Sequence, residues 1–221
     1  MTLMEVMRAR HSVRRYVDRP LPADVVDVLE AEIAACNREG EIHIQLVKDE
    51  PQAFSGFMAH YGKFSGVKNY IALVGKKGPD LDEKCGYYGE RLVLLAQSLG
   101  VNSCWVAMSY DKSKAGCKLD AGEKLCVVIS LGYGATQGVP HKSKSAEQVM
   151  AAKGEVPQWF RAGVEAALLA PTAMNQQKFK FVLEDGAVAA SAGMGFYSKV
   201  DLGIAKYHFE LGAGRKNFRW K

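Results

Sequence analysis

The sequence predicts an α+β fold, a central mixed sheet flanked by helices, from three observations. Short runs of β character and longer runs of helical periodicity share the chain. Apolar residues make up 48% and charged residues 24% of 221 positions, the proportions of a globular protein with a sizeable core. Short words of the first half recur in the second, which points to a duplicated unit.

The elements follow in order. Thr2-Leu-Met-Glu5 has the form of a capping box, so a short helix starts there. Pro20 and Pro22 close the loop after it, and Val25, Val26, Leu29, Ile33 and Cys36 then recur on one helical face, with Asn37 to Gly40 as the expected break. Ile42, Ile44 and Leu46 alternate with His43 and Gln45 as a half-buried strand does, which turns His43 outward. Pro51 to Lys68 holds Gly56, Gly62 and Gly66 among aromatics and reads as an irregular loop. Tyr70 to Val74 is a buried strand. Leu92, Leu95, Ala96 and Leu99 mark a helix stopped by Gly100.

Cys104 to Met108 and Leu125 to Leu131 are two further strands. Ser145-Ala-Glu-Gln148 repeats the capping-box form. Phe160, Val164, Ala167 and Leu168 define a helix after Pro157 that Pro171 stops. Phe179, Phe181 and Leu183 alternate as a strand, and Leu202, Ala205 and Phe209 give a last helix closed by Gly212. The basic, aromatic tail Arg215 to Lys221 reads as a docked terminus.

Composition narrows the function. A formal charge of +5 suits an anionic small molecule better than nucleic acid, which calls for a concentrated basic face. Five cysteines with no C-x-x-C spacing indicate neither a disulfide framework nor a zinc site, so no metal is expected and reduced thiols in a cytoplasm fit. Cys104 and Cys126 read as small core residues. No apolar run approaches the roughly 20 residues that cross a bilayer, and the start lacks the pattern of a signal peptide.

The densest chemistry is Arg10-His11-Ser12-Val13-Arg14-Arg15, three guanidiniums, a hydroxyl and an imidazole in six positions. Such a run is either a solvated face or an anion cradle, because guanidinium donors match phosphate oxygens two at a time. His141-Lys142-Ser143-Lys144 sets two more cations before the Ser145 helix start, an arrangement that invites an anion. Gly132-Tyr-Gly134-Ala-Thr-Gln-Gly138 is one residue too long for a dinucleotide fingerprint. Asn175 and Gln177 are either part of a capped turn or ligand-facing amides.

Glu30-Ala31 and Glu165-Ala166 precede the Ile42 and Phe179 strands at a spacing of 135 (165 − 30). Leu99-Gly100 and Leu211-Gly212 match at 112 (211 − 99), so the second copy would lack about 23 residues (135 − 112) between strand and helix. The expected division is residues 1–150 for one half and 151–221 for a shortened second half.

On RHSVRR, GVNSCW, VVISLGYG with the downstream HKSK, and LAPTAMNQQ, the chain resembles the FMN-dependent nitroreductase family. The last segment resembles the family's A-P-S-x-x-N-x-Q-P-W, with Lys178-Phe179 in place of Pro-Trp. The family carries it soon after the phosphate loop, where this chain reads Ala34-Ala35-Cys36-Asn37-Arg38-Glu39. Family members are homodimers that join the phosphate loop of one subunit to the ring segment of the other. The resemblance therefore implies an intramolecular pseudo-dimer with a single FMN between fused halves.

By that resemblance Arg10, His11, Ser12 and Arg14, with Lys142 and Lys144, hold the flavin phosphate, and Pro171, Thr172, Ala173, Asn175 and Gln177 line the ring. Ala107 and Met108 bring backbone close to N5. The implied activity passes hydride from NAD(P)H through flavin N5 to a nitroaromatic, quinone or similar acceptor, with no catalytic side chain required. The alternative is a flavin-binding or sensing protein without efficient turnover. The expected partners are small molecules only, with no nucleic acid and no membrane, and the chain is expected to be a monomer or weak homo-oligomer.

Overall fold

A computed structural model of the protein describes residues 2–221. The α+β class stands, and its strands divide into two four-stranded sheets among the described residues. The chain forms two compact units that exchange segments along the sequence. Arg10–Leu81 and Leu92–Val139 make up one, called here the loop unit, while the segment ending at Ala9, Asp82–Arg91 and Pro140–Lys221 make up the other, the turn unit.

Helix α1 (Leu3–Ala9) opens the turn unit and starts as its sequence requires. The Thr2 amide donates to Glu5 at 2.7 Å and the Glu5 amide to the Thr2 hydroxyl at 3.3 Å, the reciprocal bonds of a capping box.

The loop unit holds α2 (Ala23–Gly40), β1 (Gln45–Val47), α3 (Phe57–Tyr61), β2 (Asn69–Lys76), the end of α4 (Leu81–Ser98), β3 (Asn102–Val106) and β4 (Glu123–Gly132). Its sheet runs β1-β2-β4-β3, antiparallel throughout. Every residue of β2 except Lys76 is buried, as its unbroken apolar run predicts for a strand covered on both faces. Tyr70, Phe54, Phe64 and Tyr110 pack beside it in one cluster with Val13 and Tyr16.

Two expectations for this unit need correction. Helix α2 does not break at Asn37 but runs to Gly40 and ends on a left-handed Glu41. The Asn37 side chain instead bonds the amide and carbonyl of Ile44, tying helix to strand. Cys126 is only half-buried, whereas Cys104 is buried.

The turn unit continues with α5 (Ala146–Val149), β5 (Met150–Ala152), α6 (Gln158–Ala167), β6 (Phe179–Glu184), β7 (Ala187–Ala192), α7 (Ser198–Ala213) and β8 (Arg219–Trp220). Its sheet runs β5-β6-β7-β8, with an antiparallel β6-β7 hairpin flanked by parallel partners. Asp185-Gly186, both left-handed, close that hairpin. Gly212 does not close the last helix, which runs on to Ala213 with Gly214 as its cap. A side chain at Gly212 would strike the Ala162 carbonyl, so that glycine serves the α6–α7 contact.

The order α2-β1-β2-α4 recurs as α6-β6-β7-α7. Pro22 precedes α2 and Pro157 precedes α6, in matching extended conformations, 135 positions apart (157 − 22). Where α4 and α7 cross inside the turn unit, a side chain at Gly86 would strike the Val200 carbonyl and one at Gly203 the Glu83 carbonyl. Both pairs are 117 apart (203 − 86 and 200 − 83).

Candidate functional site

The loop unit threads its cationic segment through the fold as extended chain held by isolated bridges at Ser12, Arg15 and Tyr16. The Val13 amide donates to Ser103 at 3.0 Å on one side, and on the other Tyr16 donates to Ser65 and Ser65 to Arg14, each at 3.0 Å. Val17 donates to Tyr133 and Ala135 to Arg15, both at 2.9 Å, so the Gly-rich stretch after β4 is the next strand's neighbour. Its glycines allow that approach: a side chain at Gly134 would meet Val13, and one at Gly138, where φ is +73°, would meet His11. Tyr16 locks the turn, its hydroxyl buried against the Val13 carbonyl at 2.6 Å and the Ser130 hydroxyl at 2.9 Å.

Extended geometry puts Val13 in the core and sends Arg10, Ser12 and Arg14 the other way. These three converge on Cys104, whose thiol burial pushes up while Arg14, the Ser12 hydroxyl and Arg10 pull down. Arg14 is exposed and lies 5.9 Å from the Phe64 ring centre. Arg10 is 3% exposed, and its Nε is buried without a hydrogen-bond partner. No carboxylate pairs with it among the described residues. A buried, uncompensated guanidinium is costly, and an arriving anion removes the cost.

Ala107 and Met108 follow β3 directly, Ala107 half-buried and Met108 62% exposed. A cleft of about 60 Å³ lies farther along the loop, lined by Tyr16 to Pro20, Asp49, Lys68 and Asn69. Its size suits one or two waters rather than a cofactor.

The turn unit carries the other predicted segment. Pro171 is buried after α6, and Ala173–Asn175 form one turn of 3-10 helix in which Met174 (φ +51°) and Asn175 (φ +53°) are left-handed, followed by left-handed Gln177 (φ +45°). Such conformations are rare outside glycine and need surrounding bonds to hold them. Gln177 supplies several from a buried position: its side-chain oxygen accepts from the Lys144 amide at 2.8 Å, and its Nε2 donates to the Lys142 carbonyl at 2.9 Å and to Asn175 Oδ1 at 2.8 Å. Asn175 Nδ2 donates to the same Lys142 carbonyl at 2.9 Å.

Lys142 and Lys144 therefore sit with the 171–177 turn, and Lys144 Nζ donates to the Gln177 carbonyl at 2.9 Å. His141 Nε2 and the Ser143 hydroxyl both reach the Leu168 carbonyl at 3.0 Å. The HKSK stretch is thus a brace across the end of α6. Its following helix keeps both capping-box bonds but has only four residues, too short to be an anion site in its own right.

Sequence reasoning missed Asp201 and Gln176. Asp201 Oδ1 accepts from the Ala173 amide at 2.9 Å and Oδ2 from Gln176 Nε2 at 2.7 Å. Burial pushes the Asp201 carboxyl up to about 6. A lone Asp in a helix of mixed periodicity carries no signal of this role.

A family model described as "Putative TM nitroreductase" matches residues 2–213. The chain belongs to this nitroreductase family. Among solved structures, a "putative nitroreductase" from Thermotoga maritima is 24% identical, with a TM-score of 0.68 over 98% of this chain and 85% of that one. A second of the same description, from Desulfovibrio desulfuricans and in complex with FMN, is 20% identical, with a TM-score of 0.53 over 70% of this chain and 98% of that one. A "putative NADH dehydrogenase/NAD(P)H nitroreductase" from Parabacteroides distasonis is 21% identical, with a TM-score of 0.53 over 66% and 95%. At these identities the likeness is one of fold. No curated protein matches the chain. No helix of the described residues is long and apolar enough to cross a membrane.

Proposed function

We propose that this nitroreductase-family chain is an FMN-dependent oxidoreductase that passes hydride from NAD(P)H to a nitroaromatic, quinone or similar acceptor. The observation that carries the reading is Arg10, a guanidinium buried without a counter-ion in a cradle it shares with Ser12 and Arg14. A dianionic phosphate supplies what that cradle lacks. The neighbours described as an FMN complex and as an NAD(P)H nitroreductase support the choice of cofactor and donor.

Bound there, FMN would supply the hydride and electron-transfer chemistry between nicotinamide and acceptor. The chain's residues bind and orient. Arg10 and Arg14 clamp the phosphate, with the Ser12 hydroxyl as a further donor and His11 beside it. Main chain at Pro171, Thr172 and Ala173, together with Asn175, lines the ring, and Ala107 and Met108 border its reactive edge. Gln177 shapes the turn, because its amide hydrogens are already committed to Lys142 and Asn175. Lys142 and Lys144, beside the 171–177 turn, would add positive potential toward the anionic cofactor, as expected of phosphate partners.

We further infer that the chain is a fused duplication, with copies meeting near residue 150, that works as a monomer or weak homo-oligomer. The recurring element order and the reciprocal Gly86 and Gly203 contacts support this. None of the five cysteines is in a disulfide, in keeping with a cytoplasmic setting. Rapid mixing of the flavin-loaded protein with NADPH tests turnover: bleaching of the flavin absorbance, reversed by a quinone, is expected. Flavin that stays oxidised would leave a binding or sensing protein.

A further inference from the structure

We propose that Asp201 is a positioning residue that clamps the 171–177 turn in its left-handed form and thereby sets the surface offered to the flavin ring. The inference rests on the flavin reading above. Asp201 lies in the first turn of α7, is 2% exposed, and faces no lysine, arginine or histidine partner among the described residues. A buried carboxylate without a cation carries a desolvation cost, so its hydrogen bonds are where its role is read.

The bonds of Asp201 are not those of a helix cap. Its own amide already donates to the Tyr197 carbonyl at 2.9 Å, inside the helix. The carboxylate reaches out of α7 to the two ends of the strained stretch. Oδ1 takes the Ala173 amide just before left-handed Met174 and Asn175, and Oδ2 takes the Gln176 side chain just after them. Gln176 Nε2 also donates to the Phe196 carbonyl at 2.8 Å, so the approach to α7 is drawn into the same clamp. Met174 is 80% exposed at the tip. No apolar packing holds that residue in a disfavoured conformation, which leaves the task to the bonds at its base.

The test measures FMN and riboflavin affinity by flavin fluorescence, together with amide exchange over residues 171–177 of the flavin-free chain, for the native protein, Asp201→Ala and Asp201→Asn. The clamp predicts that Asp201→Ala weakens both flavins in equal proportion, by about tenfold or more, and speeds exchange in the turn to a similar degree. Asp201→Asn keeps the Ala173 arm through its amide oxygen and gives up the Gln176 arm, because turning Gln176 would cost its bond to the Phe196 carbonyl, so both readouts fall between native and Asp201→Ala. A folded Asp201→Ala protein with native affinities and native exchange overturns the inference while leaving the flavin reading intact. If that variant does not fold, Gln176→Met removes one arm of the clamp alone, and native behaviour there overturns it equally. A native chain that binds neither flavin refutes the reading beneath it, and exchange in the variants still reports whether Asp201 holds the turn.

Discussion

Gly86 and Gly203 meet at the crossing of α4 and α7, each occupying the space a side chain would need beside the carbonyl three residues before the other, Val200 and Glu83. Reciprocal contact of this kind is what the proposed internal duplication expects. Gly86→Ala and Gly203→Ala should each cost about 2–4 kcal/mol in urea unfolding, since backbone must shift to admit a methyl group. The duplication predicts similar losses for the two. A large loss for one and none for the other would contradict it.

Arg10 sets stability against binding. Arg10→Met removes a buried charge that lacks a partner, so the flavin-free protein should gain about 1 kcal/mol or more. FMN affinity should fall by about 10- to 100-fold, with riboflavin affinity unchanged, because only FMN carries the phosphate. Arg14→Ala, at an exposed position, should weaken FMN alone and leave stability within about 0.5 kcal/mol.

Asp201 predicts a pH dependence with a definite sign. Its folded-state pKa of about 6 lies above the ordinary 3.8, so between those values the folded protein holds a proton that the unfolded chain has lost. The group's contribution to stability falls as pH rises through that window, and the penalty for its buried charge is complete above it. Asp201→Asn should therefore favour the folded protein more at pH 7.5 than at pH 4, by on the order of 2 kcal/mol in urea unfolding. An equal change at both pH values would show that charge is not the cause.

The tail is a structural element. Trp220 donates to Glu210 at 2.8 Å and its ring lies 5.5 Å from Phe209 and 5.0 Å from Phe218. Trp220→Ala should cost about 2–4 kcal/mol and remove much of the near-ultraviolet circular dichroism. A loss under about 0.5 kcal/mol would mean the tail merely rests on the surface.

Local rules were legible wherever one residue decides one bond. The Thr2–Glu5 box, the unbroken β2 run and left-handed Gly100 all read directly from the chain. Several of the errors share a cause, which is a side chain or glycine committed to a partner outside its own element. Asn37 and Gly212 look like helix breakers but serve a strand and a neighbouring helix. The glycines between Gly132 and Gly138 resemble a nucleotide loop but make room for the cationic strand. Strand β7, Ala187–Ala192, is nearly all alanine and went unseen, although Asp185-Gly186 before it is a hairpin signal. In the candidate site the cation cluster and the 171–177 turn could be read from residue types, whereas the Asp201 clamp could not, because a lone buried carboxylate has no pattern.

The most direct test of the account is the amount and identity of flavin released by heat from the purified native protein. A single FMN per 221-residue chain is the predicted result. Two flavins per chain, or a colourless protein that takes up none when FMN is added, would contradict it.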